Sequence, residues 1–202
     1  MKRLLLILTI SLFAFSACSS DDNDNTTNIP ETQEVSIDAS SYTNWNYYSL
    51  KDNKLVGTGT EADNSTWAAR SDWDIAVMRY SIKTNSGEST SINSQGGVYT
   101  TDSSISFESL TSIPSDAKFV TDVAVTSYGM SGETTVVKSN ATVIVFKTEE
   151  DGSMVMPPIY LQAPTYIFRS ADAQNYYKVL FTQYKNDDSV TGHVKFKFSQ
   201  IQ

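Results

Sequence analysis

The sequence predicts an all-β protein, a single antiparallel β domain, and three observations carry that expectation. Apolar residues recur with a period of two almost throughout. The runs are rich in β-branched and aromatic side chains, with 11% aromatic content over 202 residues. Clusters of Gly, Asn, Asp, Ser and Pro separate them, as hairpin connections require.

The first residues stand apart from this pattern. Met1-Lys-Arg is followed by a short apolar run and then by Ser16-Ala17-Cys18. A basic start, an apolar stretch too short to cross about 30 Å of hydrocarbon and small residues before a cleavage point make residues 1–17 a secretory leader. Cys18, the only cysteine, directly follows Phe-Ser-Ala, which resembles a bacterial lipobox. The expectation is a diacylated Cys18 that anchors the chain to a membrane, each buried methylene adding about 0.8 kcal/mol. Residues 18–33 then read as a flexible acidic tether, too polar to bury a core. Its Ser19-Ser-Asp-Asp start resembles the export signal of surface lipoproteins in the Bacteroidetes.

Residues 34–202 remain, about 170 residues and enough for one packed domain. Strands are expected in order at Trp45–Leu50, Trp73–Ile82, Phe119–Val125, Thr142–Lys147, Thr165–Arg169, Tyr176–Tyr184 and His193–Phe198. One short helical turn is expected at Ile113-Pro-Ser-Asp-Ala. The last two strands read as an antiparallel pair joined through Lys185–Gly192. No disulfide is available, so packing alone must hold the domain.

Charge excludes one class of partner. Of 15 basic residues, Lys2 and Arg3 leave with the leader, so 13 remain against 23 acidic ones, a formal charge of −10. Nucleic acid needs a basic face, and none is expected here.

Catalytic chemistry is sparse. The single histidine, His193, opens the last strand and reads as an ordinary strand residue near a turn. Asp72 and Asp74 flank Trp73 and invite comparison with a glycosidase pair, but the simpler role for Asp74 is a hydrogen-bonded carboxylate near a strand end. Glu149-Glu-Asp151-Gly lacks the ligands of a calcium loop. No enzyme is expected.

The methionines are placed unusually. Met78 lies in an apolar strand, whereas Met130, Met154 and Met156 lie among Gly, Ser and Pro, in loops. They either tuck over a core edge or present thioether sulfur, a soft neutral donor suited to haem iron or copper(I). Two such loops at the ends of adjacent strands could close over a flat ring, with Gly129, Gly132 and Gly152 as pivots.

A longer pattern bears on that choice. Asn44-Trp-Asn-Tyr-Tyr-Ser-Leu50, Ser71-Asp-Trp-Asp-Ile-Ala with Arg79-Tyr80 and Asn85-Ser-Gly87, Gln95-Gly-Gly-Val-Tyr99, and Tyr166-Ile-Phe-Arg169 with Tyr177–Tyr184 together resemble the HmuY family of haem-binding lipoproteins. The match runs from about residue 35 to the C-terminus. The resemblance implies an all-β fold with haem held at one end between two long loops. It also implies a haemophore that takes haem from its surroundings or from host haemoproteins and passes it to a TonB-dependent outer-membrane receptor. Family members use two histidines or two methionines as axial ligands, and this chain lacks the histidines. Met130 occupies the first ligand segment; Met154 and Met156 both fall in the second, with Met154 favoured because Pro157-Pro158 stiffens Met156. Tyr128, Tyr160 and Tyr166 are candidate ring contacts, and Arg169 or Lys147 candidate propionate partners. The alternative is a glycan-binding surface lipoprotein using Trp45, Trp67 and tyrosines. An adhesin that donates a strand is a third reading, and no tail suited to it is present.

Overall fold

Strand pairing starts at Gln33, the last residue of the segment read as a tether. The structure, a computed structural model, describes residues 30–129 and 132–202. The expected leader, Cys18 and most of the tether lie outside these residues. β1 (Gln33–Asp38) lies antiparallel to the last strand, with Gln33 opposite Phe198 and Asp38 opposite His193. Only Val35 and Ile37 are large and apolar in β1, a pattern too thin for periodicity to register.

The second sheet is built next along the chain, from β2 (Trp45–Ser49), β3 (Lys54–Gly59), β4 (Ile75–Met78) and β5 (Ser81–Thr84), in the order β3-β2-β4-β5. Sequence pattern reads Trp73–Ile82 as one strand, but it folds as a hairpin. Met78 faces Ser81, and Arg79 takes a φ of 54° in the two-residue turn. Its guanidinium donates to the carbonyls of Ser40 (3.0 Å) and Thr191 (2.9 Å), so tertiary contacts hold a backbone conformation unusual for a side chain of this size.

A short helix, α1 (Asn64–Ala68), appears where none is expected, while Ile113–Ala117 forms only a turn, the Ala117 amide donating to the Pro114 carbonyl at 3.0 Å. α1 carries Trp67, whose ring stacks flat on Tyr47 with centroids 3.8 Å apart. Gly57 and Gly59 make room for the indole: a Cβ on Gly59 would sit 2.2 Å from the ring nitrogen.

β6 (Gly97–Thr100), β11 (Tyr166–Arg169), β12 (Tyr176–Lys185) and β13 (Thr191–Ile201) complete the first sheet, in the order β1-β13-β12-β11-β6. Alternation holds along the middle of its long strands, up to an irregularity in β12 after Phe181. Val194, Phe196 and Phe198 point inward with Tyr177, Val179 and Phe181, and meet Tyr48, Ile75, Val77 and Ile82 of the second sheet in the main core. On the outer face, the Lys178 and Lys197 ammonium groups each lie 4.5 Å from the Phe107 ring centroid.

Two hairpins remain. β7 (Val123–Gly129) pairs with β8 (Gly132–Lys138), and β9 (Ile144–Phe146) with β10 (Tyr160–Gln162). Thr142 bridges to Ser81 and the Val143 amide donates to the Tyr80 carbonyl at 3.0 Å, so β9 continues the second sheet beyond β5. On its far side β10 approaches β12 without a ladder. The register placing Tyr166 opposite Val179 would put Pro164 opposite Phe181. Proline has no N–H to offer, and the Gln162 carboxamide donates to the Phe181 carbonyl instead, at 3.3 Å. The seam between β10 and β12 is a groove of about 600 Å³, with Val143, Ile144 and Phe181 among its walls and Lys185 at one end.

Candidate functional site

The β7–β8 hairpin is a long arm standing on two feet, both placed on β5. At the second foot the Ser139 amide and hydroxyl both donate to the Ile82 carbonyl at 2.9 Å. At the first foot Asp122, 1% exposed, accepts from the Thr84 amide (2.9 Å), the Thr84 hydroxyl (2.5 Å) and the Ser89 hydroxyl (2.7 Å). Its backbone is also held: the Asp122 amide donates to the Ser86 hydroxyl at 3.2 Å, and the Glu88 amide donates to the Asp122 carbonyl at 3.1 Å. Gly87, at a φ of +52°, lets the 3-10 turn Gly87–Ser89 approach so closely that a Cβ would lie 2.2 Å from that carbonyl. Burial pushes the Asp122 carboxyl up to about 6, against the pull of the Thr84 and Ser89 donors and of Lys83.

Beyond these feet the arm leaves the core. Val123–Ser127 are all exposed. Val136, on β8, packs against the cluster of Trp45, Tyr47, Trp67 and Trp73, and Thr126 and Thr135 share a hydroxyl hydrogen bond at 2.9 Å. Gly129 pairs with Gly132, and Met130, the expected first ligand, lies between them, outside the described residues.

The second arm is the excursion between β9 and β10. Lys147 donates to the Ile159 carbonyl at 3.0 Å and accepts from the Val155 amide at 3.1 Å, so a smaller hairpin is nested inside the larger one. Its turn is closed by Glu149 donating to Ser153 (2.8 Å) and Gly152 donating to Glu149 (3.0 Å), with Gly152 at a φ of +84°. Thr148 bridges to Met154. Met154 is 44% exposed and Met156 74% exposed, the latter preceding a cis peptide bond to Pro157. Neither methionine fills the core: Met156 stands largely in solvent and Met154 is partly exposed.

The base of this arm is aromatic. Tyr160 meets Phe146 (5.5 Å) and Tyr184 (5.4 Å) edge-on, Phe146 meets Tyr80 (5.2 Å), and the Lys185 ammonium lies 4.8 Å from the Tyr160 ring centroid. These contacts fix the root while Met154, Met156, Ile159 and Leu161 stay open to solvent.

Other sequence candidates fall elsewhere. Tyr166 is a core residue whose hydroxyl accepts from the Thr142 amide at 3.2 Å. Arg169 packs its guanidinium 5.1 Å from the Phe119 ring and donates to the Gly96 carbonyl, which ties it to the fold. Lys147 is exposed on the second arm, and the Tyr128 side chain lies outside what is described. His193 faces Asp38 at 3.9 Å on a strand. Asp72 pairs with Arg70 at 2.6 Å, whereas Asp74 is buried, so the two do not form a catalytic pair. Trp45 and Trp67, the stacking residues of the glycan reading, are both buried and have no face free for a sugar ring. Asp122 was missed by sequence reasoning because Phe119–Val125 reads as one continuous strand; pairing begins only at Val123, with Val120 in an isolated bridge to Val98.

The fold and site thus define a class: an antiparallel β protein with two arms rooted beside its second sheet, the second of them carrying Met154 and Met156. The model of the HmuY protein family matches residues 41–198, and the chain belongs to that family. Solved structures share the fold. A protein of Bacteroides vulgatus described as HmuY-like and haem-binding is 23% identical, over 83% of this chain and 91% of its own, with a TM-score of 0.60. The apo HmuY analogue of Tannerella forsythia is 23% identical, over 87% of this chain and 100% of its own, with a TM-score of 0.56. Apo PinO, from Porphyromonas gingivitis, is 16% identical, over 85% and 98%, with a TM-score of 0.58. No curated protein matches the sequence.

Proposed function

We propose that the protein is a surface haem-binding lipoprotein, a haemophore, that grips haem between its two arms through Met130 and Met154 and delivers it to a TonB-dependent outer-membrane receptor. Membership of the HmuY family carries this reading. The donor set fits the cargo. Thioether is a neutral, soft donor for haem iron, and Met154 holds its sulfur on an exposed, strand-braced turn rather than in the core. Ile159 and Leu161 on the same arm offer apolar surface to a porphyrin face, and Lys147 a cation to a propionate. Methionine favours the reduced metal, so ferrous haem is the preferred form under reducing conditions.

The titration that tests this uses residues 30–202 with haemin, in air and with dithionite. A saturable one-to-one Soret shift with sharp reduced α and β bands is expected, lost in Met130→Ala and Met154→Ala and kept in Met156→Ala. A wild type that shows only the spectrum of free haemin overturns the reading; loss in Met156→Ala with retention in Met154→Ala reassigns the second ligand.

The N-terminus completes the proposal. Residues 1–17 act as the leader, Cys18 receives the lipid and residues 18–33 tether the β domain at the cell surface, within reach of host haemoproteins. Among the described residues no helix is long and apolar enough to cross a membrane. Radiolabelled palmitate is expected on the wild type and absent from Cys18→Ala, which should leave the membrane fraction; an unlabelled wild type removes the anchor from the scheme.

A further inference from the structure

Asp122 is a carboxylate where the fold has little use for charge. It lies under the root of the first arm and supplies the acceptor that the outer edge of β5 lacks: the Thr84 amide, with no strand beyond it, donates to Oδ2. The same carboxylate ties in Ser89 of the 3-10 turn and the Thr84 hydroxyl, which shares a hydrogen bond with Ser86 at 2.7 Å. Ser86 in turn accepts from the Asp122 amide. The Thr84 and Ser89 contacts at this foot pass through one titratable group, the Ser86 hydroxyl meeting the Asp122 backbone amide instead, and β7 has no buried residue beyond the foot among those whose side chains are described.

We infer that Asp122 is a positioning residue for the first arm: its carboxyl group docks the root of β7–β8 on β5 and the Gly87–Ser89 turn, and its charge state sets how tightly the arm is held. The network accommodates both states. When Asp122 is ionised, the Thr84 and Ser89 hydroxyls donate to it. When it is neutral, its own O–H donates to the Thr84 hydroxyl, which passes its hydrogen to Ser86. The charged groups on the elements packed around it are Lys83 on β5, Glu88 on the 3-10 turn and, on β8, Lys138 opposite Val123 and Glu133 at the far end. Lys83 favours the carboxylate but is held 3.1 Å from Glu61, which shares its charge.

The direction follows from burial. The docked carboxyl lies at about 6 against an ordinary 3.8. Docking is therefore strongest below pH 4 and weakens as pH rises through 6, by up to about a hundredfold in the docking equilibrium. At neutral pH the arm works loosely latched, able to open; in acid it is held down. The consequence for ligand grip rests on the haem reading, whereas the latch itself does not.

Hydrogen exchange on haem-free residues 30–202 tests it, corrected for intrinsic rates, from pH 4.5 to 7.5. Protection of β7 and β8 amides relative to those of β12 and β13, on a logarithmic scale, is expected to fall with a midpoint at about pH 5 and to level off above about pH 6. Asp122→Asn, neutral at every pH, should show a flat profile. Ser89→Ala removes a donor to the ionised form and should move the midpoint upward while leaving the fold in place. A flat wild-type profile, or the wild-type midpoint persisting in Ser89→Ala, overturns the latch whatever haemin does; failure to bind haemin with the latch profile intact overturns only the proposed function.

Discussion

Asp74 and Asp122 are two buried aspartates with opposite duties. Asp74 accepts from the backbone amides of Leu50 (2.8 Å), Lys51 (3.3 Å) and Ala171 (3.4 Å), joining the end of β2 to the loop after β11. Burial raises its pKa in spite of those donors. Asp74→Ala would leave three amides without their acceptor and should lower stability by about 3 kcal/mol or more in urea unfolding. Haemin binding by the folded fraction should be unaffected. Asp74→Asn, which keeps one acceptor oxygen, should cost less. The role of Asp74 was legible in the sequence because Trp73-Asp-Ile marks a strand start, where a carboxylate finds free amides. Asp122 was not legible. Apolar residues surround it on both sides, and only the tertiary approach of Thr84 and Ser89 shows that the chain changes direction there. Arg79 is similar: nothing in Met78-Arg-Tyr-Ser announces a turn, because the contacts that hold its φ come from Ser40 and Thr191.

At the level of elements, the division between frame and arms is the useful one. The long strands β12 and β13 were readable since large apolar residues alternate over Tyr177–Phe181 and Val194–Phe198. Short or polar strands such as β3, β8 and β10 were not, as three to seven residues with few large apolar side chains leave no period to detect. Arm residues beyond the feet contribute little to the core, which makes the first arm separable. Replacing Ser127–Thr134 with Asn-Gly would close a two-residue turn on the Thr126–Thr135 pair. The shortened protein should unfold within about 5 °C of the wild type, since few buried contacts are lost, and should give no haemin Soret shift. A large drop in its midpoint would mean that the arm braces the frame.

The frame of the molecule is two series of neighbouring strands that meet along an unpaired seam. From β3 through β5 and β9 to β10, strand follows strand; from β12 through β13 to β1 the same holds, and the two series meet at the seam where Pro164 withholds an amide. The all-β class and the antiparallel close of the chain were evident from composition and alternation alone. Which strands neighbour which was not, because a period of two is blind to partner choice.

The pairing of β1 with β13 has a mechanical side. Under the proposed anchor, load would reach the folded chain where β1 begins, and β1 runs six residues along β13 with hydrogen bonds lying across the strand direction. A load along that axis strains the whole ladder in shear, so the bonds resist together rather than opening one by one from the end. The Ser199 hydroxyl, which donates to the Pro30 carbonyl at 2.9 Å, stiffens the point of attachment. Drag on an anchored protein would thereby be carried by the five-stranded sheet, and neither arm belongs to that sheet.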